Sequence, residues 1–361
     1  MKNLLKPSIY WLFAFIPIAI ILERSHASAP LVFFSAALSI VPIARLIGNS
    51  TEQLATYTGD AIGGLLNATF GNLPELIIAV IALKAGLHQM VLASLAGAIL
   101  ANLLLAMGVS FLVGGIKFHN QDYNATSVRV YSSMMMIAVI SLTIPSGFHV
   151  LAADKIPSEN ENILNINLAV VLLIGYVLYL FFMIKTHPDF FRSEGGGGHS
   201  EEHEGRWSLT RALVTLLVAS VLAAFMSEVL VGAAEETGKV LGMSSVFIGV
   251  IFLAIVGGAA ESISAISMAA KNKMDLSIGI ALGSSIQIAL FIAPILVILS
   301  TFVGPSQMNL AFPRGLLVAL FMAVVLATMV AGDGRSNWYK GVQLIMVYLI
   351  MGMMLYYIPS V

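Results

Sequence analysis

Runs of about 20 apolar residues recur along this chain, the length that carries an α-helix across a hydrocarbon core. They predict eleven spans, at 8–22, 28–47, 61–84, 89–115, 128–146, 163–185, 208–233, 243–270, 276–302, 312–331 and 337–358. The fold class expected is therefore all-α, a polytopic membrane protein with about eleven transmembrane helices. The first run, Ile9 to Leu22, follows Lys2 and Lys6 and would also suit a signal peptide. It lacks a convincing small-residue cleavage site before the next span, so it is read as a helix.

Composition agrees. The 361 residues are 58% apolar and only 10% charged, with a mean hydropathy of +0.93, whereas a soluble domain carries about a quarter charged residues. A net charge of −1 gives no reason to expect a nucleic-acid partner. The chain has no cysteine, which removes disulfides, thiolate metal sites and cysteine nucleophiles.

Basic residues orient the spans. With the N-terminus inside, Arg24, Lys84, Lys155, Lys239 and Arg314 fall outside, and the other thirteen of the 18 Lys and Arg residues fall inside. Basic flanks resist translocation, so the N-terminus is placed in the cytoplasm and the C-terminus outside. Trp11, Trp207 and Trp338 lie near the predicted cytoplasmic helix ends, where aromatic anchors belong.

One stretch, 187–207, is plainly polar: it holds Gly195–Gly198 and the run HSEEHEG. The residues around it divide into an N-terminal helix (1–27), a first five-helix repeat (28–186), this acidic linker, and a second five-helix repeat (208–361). The repeats share landmarks. Glu52 precedes G-N-L-P-E ending at Glu75, then Lys84 and a small-residue span through Asn102. Glu228 precedes G-G-A-A-E ending at Glu261, then Lys271 and a small-residue span through Gln287. Five spans is an odd number, so the repeats cross the membrane in opposite senses. Inverted repeats place substrate sites near the midplane, at their interface.

Glu75 and Glu261 stand inside apolar spans, where a charge costs about 2.5–3.5 kcal/mol on insertion scales. The alternative, a carboxylate at a wet helix end or one kept protonated for packing, does not explain two matched occurrences. Gly71 and Pro74 interrupt the first helix and Gly257-Gly258 loosens the second, and broken transporter helices supply carbonyls to cations. Asn72, three places before Glu75, can share its face. Asn102 and Gln287 are large amides that are costly to bury, which favours a site role. Ser94, Ser284 and Ser285 suit close helix packing equally well. Two carboxylates, carbonyls and amides form an all-oxygen site. Ca²⁺ takes six to eight oxygens in irregular geometry, while the absence of Cys and nearby His disfavours softer metals. The metal-ligand candidates are thus Glu75, Glu261, Asn72, Gly71, Gly257, Asn102, Gln287 and Ser284, with Glu75 and Glu261 also the proton-coupling pair.

Glu52, Asp60, Glu228, Glu235 and Glu236 lie nearer span ends and read as solvated, although the matched Glu52 and Glu228 could line an access path. His199 and His203, flanked by Glu201, Glu202 and Glu204, would share a helical face and could bind a metal. Four preceding glycines favour a flexible linker there instead.

The stretches G-G-L-L-N-A-T-F-G-N-L-P-E-L-I-I-A-V-I-A-L-K-A-G (63–86), G-G-A-A-E-S-I-S-A-I-S-M-A-A-K-N-K-M-D-L (257–276) and I-A-L-G-S-S-I-Q-I-A-L-F-I-A-P (280–294) resemble the Ca²⁺/H⁺ antiporter branch of the calcium/cation antiporter superfamily. The resemblance implies one N-terminal helix plus two inverted five-helix repeats, with Glu75 and Glu261 exchanging Ca²⁺ for protons. Two departures bear on affinity and selectivity. The family's second motif commonly reads G-N-A-A-E-H, whereas Gly258 and Ser262 stand here, and a Gly-Ser pair of the first repeat reads Gly97-Ala98.

The function expected is exchange of cytoplasmic Ca²⁺ for external H⁺ by alternating access. Burial favours the neutral form of a carboxyl and a bound divalent cation the ionised form, so Ca²⁺ and protons compete for one pair. The partners expected are Ca²⁺, H⁺ and the lipid bilayer, with a homo-oligomer compatible. No cofactor is expected beyond the transported ion. A Na⁺/Ca²⁺ or other cation/H⁺ exchanger on the same scaffold is the alternative, separable by sodium dependence. A passive channel would lack proton coupling. No nucleophile–base or metal-catalytic constellation supports an enzyme. The short N-terminus suits a prokaryotic cell membrane better than a vacuole.

Overall fold

The computed structural model describes residues 8–152, 158–188 and 207–357. The chain is helical almost throughout. After a 3₁₀ stretch (Ile9–Ala14) come α1 (Phe15–Arg24), α2 (Ala29–Phe70) and α3 (Leu73–Lys84). They are followed by α4 (His88–Phe118), α5 (Ala125–Ala152), α6 (Ser158–Phe181) and α7 (Leu209–Leu241). The last group is α8 (Ser245–Gly257), α9 (Ala259–Ala270), α10 (Met274–Leu299), α11 (Arg314–Ala331) and α12 (Trp338–Tyr356). Asp60 and the histidine-bearing part of the 187–207 linker, with His199 and His203, lie outside the described side chains.

Among the described residues eight helices are long and apolar enough to cross a membrane, or nine if α8 and α9 form one bent span. Helix lies at each of the eleven expected positions, but the 8–22 span is reduced to a 3₁₀ stretch and the ten-residue α1, and the second and third spans differ in length in two ways. First, the connection expected between the second and third spans is helical: α2 continues to Phe70 and takes the first part of the expected 61–84 span with it. Second, α3 is left with twelve residues, because the chain breaks at Gly71–Asn72.

The outward faces of α6 and α7 carry exposed Val171, Ile174, Val177, Leu178, Leu213, Leu217 and Val221. In water such faces would be untenable; in lipid they are the solvent-facing surface. Lipid supplies no hydrophobic drive between helices, so close packing must hold the interior together. The inner helices accordingly meet backbone to backbone. A β-carbon at Gly97 in α4 would overlap the carbonyl of Val250 in α8, and one at Gly341 in α12 would strike the backbone of Leu112 in α4. The core around α4 and α10 is filled by Leu100, Leu103, Leu104, Met107, Ile286 and Ile292.

The connecting loops sort onto two faces. On one, a two-stranded antiparallel ladder joins β1 (Asn120–Asp122) to β2 (Arg335–Asn337). Asp122 pairs with Arg335 at 2.9 Å, Gln121 donates to the Ala269 carbonyl at 3.0 Å, and Lys117 donates to that of Ala270 at 2.7 Å. At the opposite face Ser146 donates to the Leu310 carbonyl at 3.0 Å and a β-carbon at Gly86 would touch Pro305. Every loop in the first cluster is one the basic residues place inside, and every loop in the second is one they place outside.

Candidate functional site

The two glutamates occupy matching places on two half-helices. α2 stops at Phe70, Asn72 takes the cap position without a capping side-chain hydrogen bond, and Glu75 is the third residue of α3. α8 stops at Gly257, Gly258 takes the cap position, and Glu261 is the third residue of α9; the chain bends there by 58°. Pro74 is harmless in the first turn, where its missing N–H would have had no helical partner. Each carboxylate therefore sits at the positive end of a short helix, beside a break whose carbonyls lack helical donors.

The breaks meet. A β-carbon on Gly257 would lie 2.9 Å from Glu75 Cγ, and one on Gly258 would lie 3.6 Å from Glu75 Oε1 and 3.8 Å from Asn102 Oδ1. Glycine at 257 is thus what lets the Glu75 side chain cross to the second half-helix. Ser284 ties the group together: its hydroxyl donates to Asn72 Oδ1 at 2.6 Å and accepts from Asn102 Nδ2 at 3.2 Å. Glu75 is 7% exposed, and Asn72, Asn102, Ser284 and Gln287 are likewise buried.

Among the described residues, both carboxylate oxygens of Glu75, Glu261 Oε2 and Gln287 Nε2 are buried with no hydrogen-bond partner. Such groups are rare in folded proteins and ask for a ligand. Among the described residues no three His, Asp or Glu side chains cluster to hold a metal. The donors on offer are two carboxylates plus neutral amide, hydroxyl and carbonyl oxygens, the chemistry of a hard cation.

The expected residues divide cleanly. Glu75, Asn72, Gly257, Asn102 and Ser284 are brought together, Gly71 stands at the first break, and Gln287 lies buried one place before a π turn (Ile288–Ile292). Asn102 lies within the corresponding π turn of α4 (Ala101–Ala106). Two serines go elsewhere: Ser94 donates to the Val91 carbonyl and Ser285 to that of Ala281, so both bond within their own helices. Glu52, Glu228, Glu235 and Glu236 are exposed, and Glu228 approaches Lys84 at 3.8 Å.

Sequence reasoning missed Arg45. Counted as a cytoplasmic flank, it instead lies within the apolar stretch of α2 and donates to Ser264 Oγ at 2.6 Å, one turn beyond Glu261. The signal was present, since Pro42 to Gly48 is otherwise apolar.

Paired acidic half-helices buried in a helical membrane protein define a class, that of carriers that bind their cargo between two broken helices. The particular family follows from comparison: residues 28–185 and 211–357 match the model of the sodium/calcium exchanger protein family, and this chain belongs to it. The Ca²⁺/H⁺ antiporter ChaA of Bacillus subtilis (strain 168) is 41% identical over 337 residues, covering 93% of this chain and 95% of that one. A Ca²⁺/H⁺ antiporter of Aphanothece halophytica is 39% identical, over 98% of this chain and 97% of its own. The solved structure of native YfkE superposes with a TM-score of 0.84 at 38% identity, covering 97% of this chain and 100% of that one.

Proposed function

We propose that this carrier exports cytoplasmic Ca²⁺ in exchange for external H⁺, by alternating access across a prokaryotic cell membrane, with the N-terminus cytoplasmic. The repeats are assigned as 28–186 and 208–361, following an N-terminal helix (1–27) and joined by the 187–207 linker. The observation that carries the reading is the approach of Glu75 to the Gly257–Gly258 break just ahead of Glu261, with both Glu75 carboxylate oxygens and Glu261 Oε2 buried and without a hydrogen-bond partner among the described residues. The names of the relatives, two of them Ca²⁺/H⁺ antiporters at about 40% identity over nearly the whole chain, support the choice of ions.

A buried carboxylate without a partner is costly. Each glutamate is therefore stable only when it holds a proton or shares a cation. Ca²⁺ bound by Glu75 and Glu261 would complete its shell from the Asn72 and Asn102 side-chain oxygens, Ser284 and the carbonyls at Gly71 and Gly257. Protons arriving from the other side neutralise the same pair and release the ion. If only the compensated forms reorient, the two fluxes are coupled and leakage is suppressed.

Proteoliposomes under an imposed pH gradient separate this reading from its rival. Uptake of Ca²⁺ driven by the gradient without Na⁺ is expected. Uptake that requires Na⁺ and ignores the gradient would assign the same site to sodium/calcium exchange.

A further inference from the structure

The hydrogen-bonded chain at the site has a mirror that this sequence does not complete. On one side Asn102 Nδ2 donates to Ser284 Oγ, which donates to Asn72 Oδ1. Asn72 stands three places before Glu75, and Ser284 stands twenty-three places after Glu261. The same steps taken from the other glutamate reach Gly258, three before Glu261, and Ala98, twenty-three after Glu75. Neither can hydrogen-bond through a side chain. Gln287, the counterpart of Asn102, is one methylene longer and one place short of the mirror position. It is 5% exposed, and its Nε2 has no partner among the described residues.

These facts fit one account. The mirror chain would run from Gln287 to a hydroxyl at 98 and on to an amide at 258. Both acceptors are absent together, and the donor that would have served them is left over. An amide N–H₂ buried in this way is costly unless something fills its place. A water molecule hydrogen-bonded to such a group is nearly as good as a protein partner.

We infer that the bound cation keeps a water ligand on the Glu261 side, held by Gln287 Nε2, and that Ala98 and Gly258 are the positions that determine this partial hydration. The inference rests on the cation-carrier reading above. It makes the site lopsided: protein oxygens crowd the Glu75 side, while solvent completes the shell on the Glu261 side. Selectivity follows, because Mg²⁺ gives up its waters reluctantly and Ca²⁺ does so readily. A site that retains water discriminates less between them.

The test rebuilds the missing chain. At Gly258 φ is −79°, which any residue adopts, and a β-carbon would meet the Ala254 carbonyl at 3.3 Å, Glu75 Oε1 at 3.6 Å and Asn102 Oδ1 at 3.8 Å, so Gly258→Asn needs no left-handed backbone and asks only a small shift of its neighbours. Purified wild type, Ala98→Ser, Gly258→Asn, the double variant and Gln287→Leu are titrated with Ca²⁺ by calorimetry, with and without Mg²⁺. Eu³⁺ luminescence lifetimes in H₂O and D₂O then count the waters on the bound ion. The double variant is expected to bind Ca²⁺ about tenfold more tightly than the two single effects combined, within the range of direct side-chain coupling. It should also resist Mg²⁺ better and lose about one Eu³⁺-bound water. Gln287→Leu should weaken Ca²⁺ binding and lose the same water. Additive single effects, or an unchanged water count in the double variant, would overturn the inference. Absence of any Ca²⁺ binding by the wild type would instead overturn the carrier reading beneath it.

Discussion

At the scale of single residues, what matters is which polar groups the chain buries and what it leaves them to bind. Gly257 is the sharpest case, since a β-carbon there would stand 2.9 Å from Glu75 Cγ. Gly257→Ala must push the carboxylate aside, an overpacking worth about 1–3 kcal/mol. The expected outcome is a loss of Ca²⁺ uptake of at least tenfold in protein that still elutes as a folded species. Near-normal uptake would show that Glu75 does not cross at Gly257. The two glutamates, Asn72 and Asn102 were legible in the sequence because each is an expensive polar group inside an apolar run. Ser284 was harder to separate from Ser94 and Ser285, because a serine that bonds its own helix and one that bridges two helices look alike in sequence. Arg45 was misread for a related reason: a basic residue near a predicted span end counts as a flank until the helix is seen to continue past it.

At the scale of elements, the half-helices decide the site and the long helices decide its access. Lys84 ends α3 and approaches Glu228 of α7 at 3.8 Å, with both side chains more than half exposed. Such a pair contributes little to stability, so its interest lies in what it closes. On the side that the basic residues assign to the cytoplasm, Arg45 meets Ser264, and Glu52 and Lys271 lie seven places beyond Arg45 and Ser264 respectively. In the inverted repeat proposed above these two would be the counterparts of Glu228 and Lys84. Cysteine pairs replacing Lys84/Glu228 and Glu52/Lys271 are therefore expected to cross-link in alternation, a fixed bridge at one end preventing the other. Both bridges forming in one molecule would contradict alternating access. The chain's lack of native cysteine makes the experiment clean. The positions of the helices could be read from apolar runs, but the continuation of α2 to Phe70 could not. Its polar stretch around Glu52 looks like a loop, and only packing against α7 shows otherwise.

At the scale of the whole molecule, the loops report topology. The β1–β2 ladder, Gln121 and Lys117 gather three connections at one face, and Ser146 with Leu310 gathers others at the opposite face. The bias of basic residues assigns the first face to the cytoplasm. A single cysteine at Lys239, exposed near the end of α7, should react with an impermeant maleimide on intact cells. One at Lys271 should react only after permeabilisation, and the reverse pattern would invert the assignment. No sequence pattern foretold the ladder, because three-residue strands carry too little periodicity to register. What ties these scales together is one claim, that Ca²⁺ and protons share Glu75 and Glu261. Its most direct test is proton release when Ca²⁺ binds the purified carrier, measured by calorimetry in buffers of different ionisation enthalpy. Wild type should release protons on binding, and Glu75→Gln and Glu261→Gln should each lose most of that release together with Ca²⁺ affinity. Tight Ca²⁺ binding without proton release, or release that survives both substitutions, would contradict the claim.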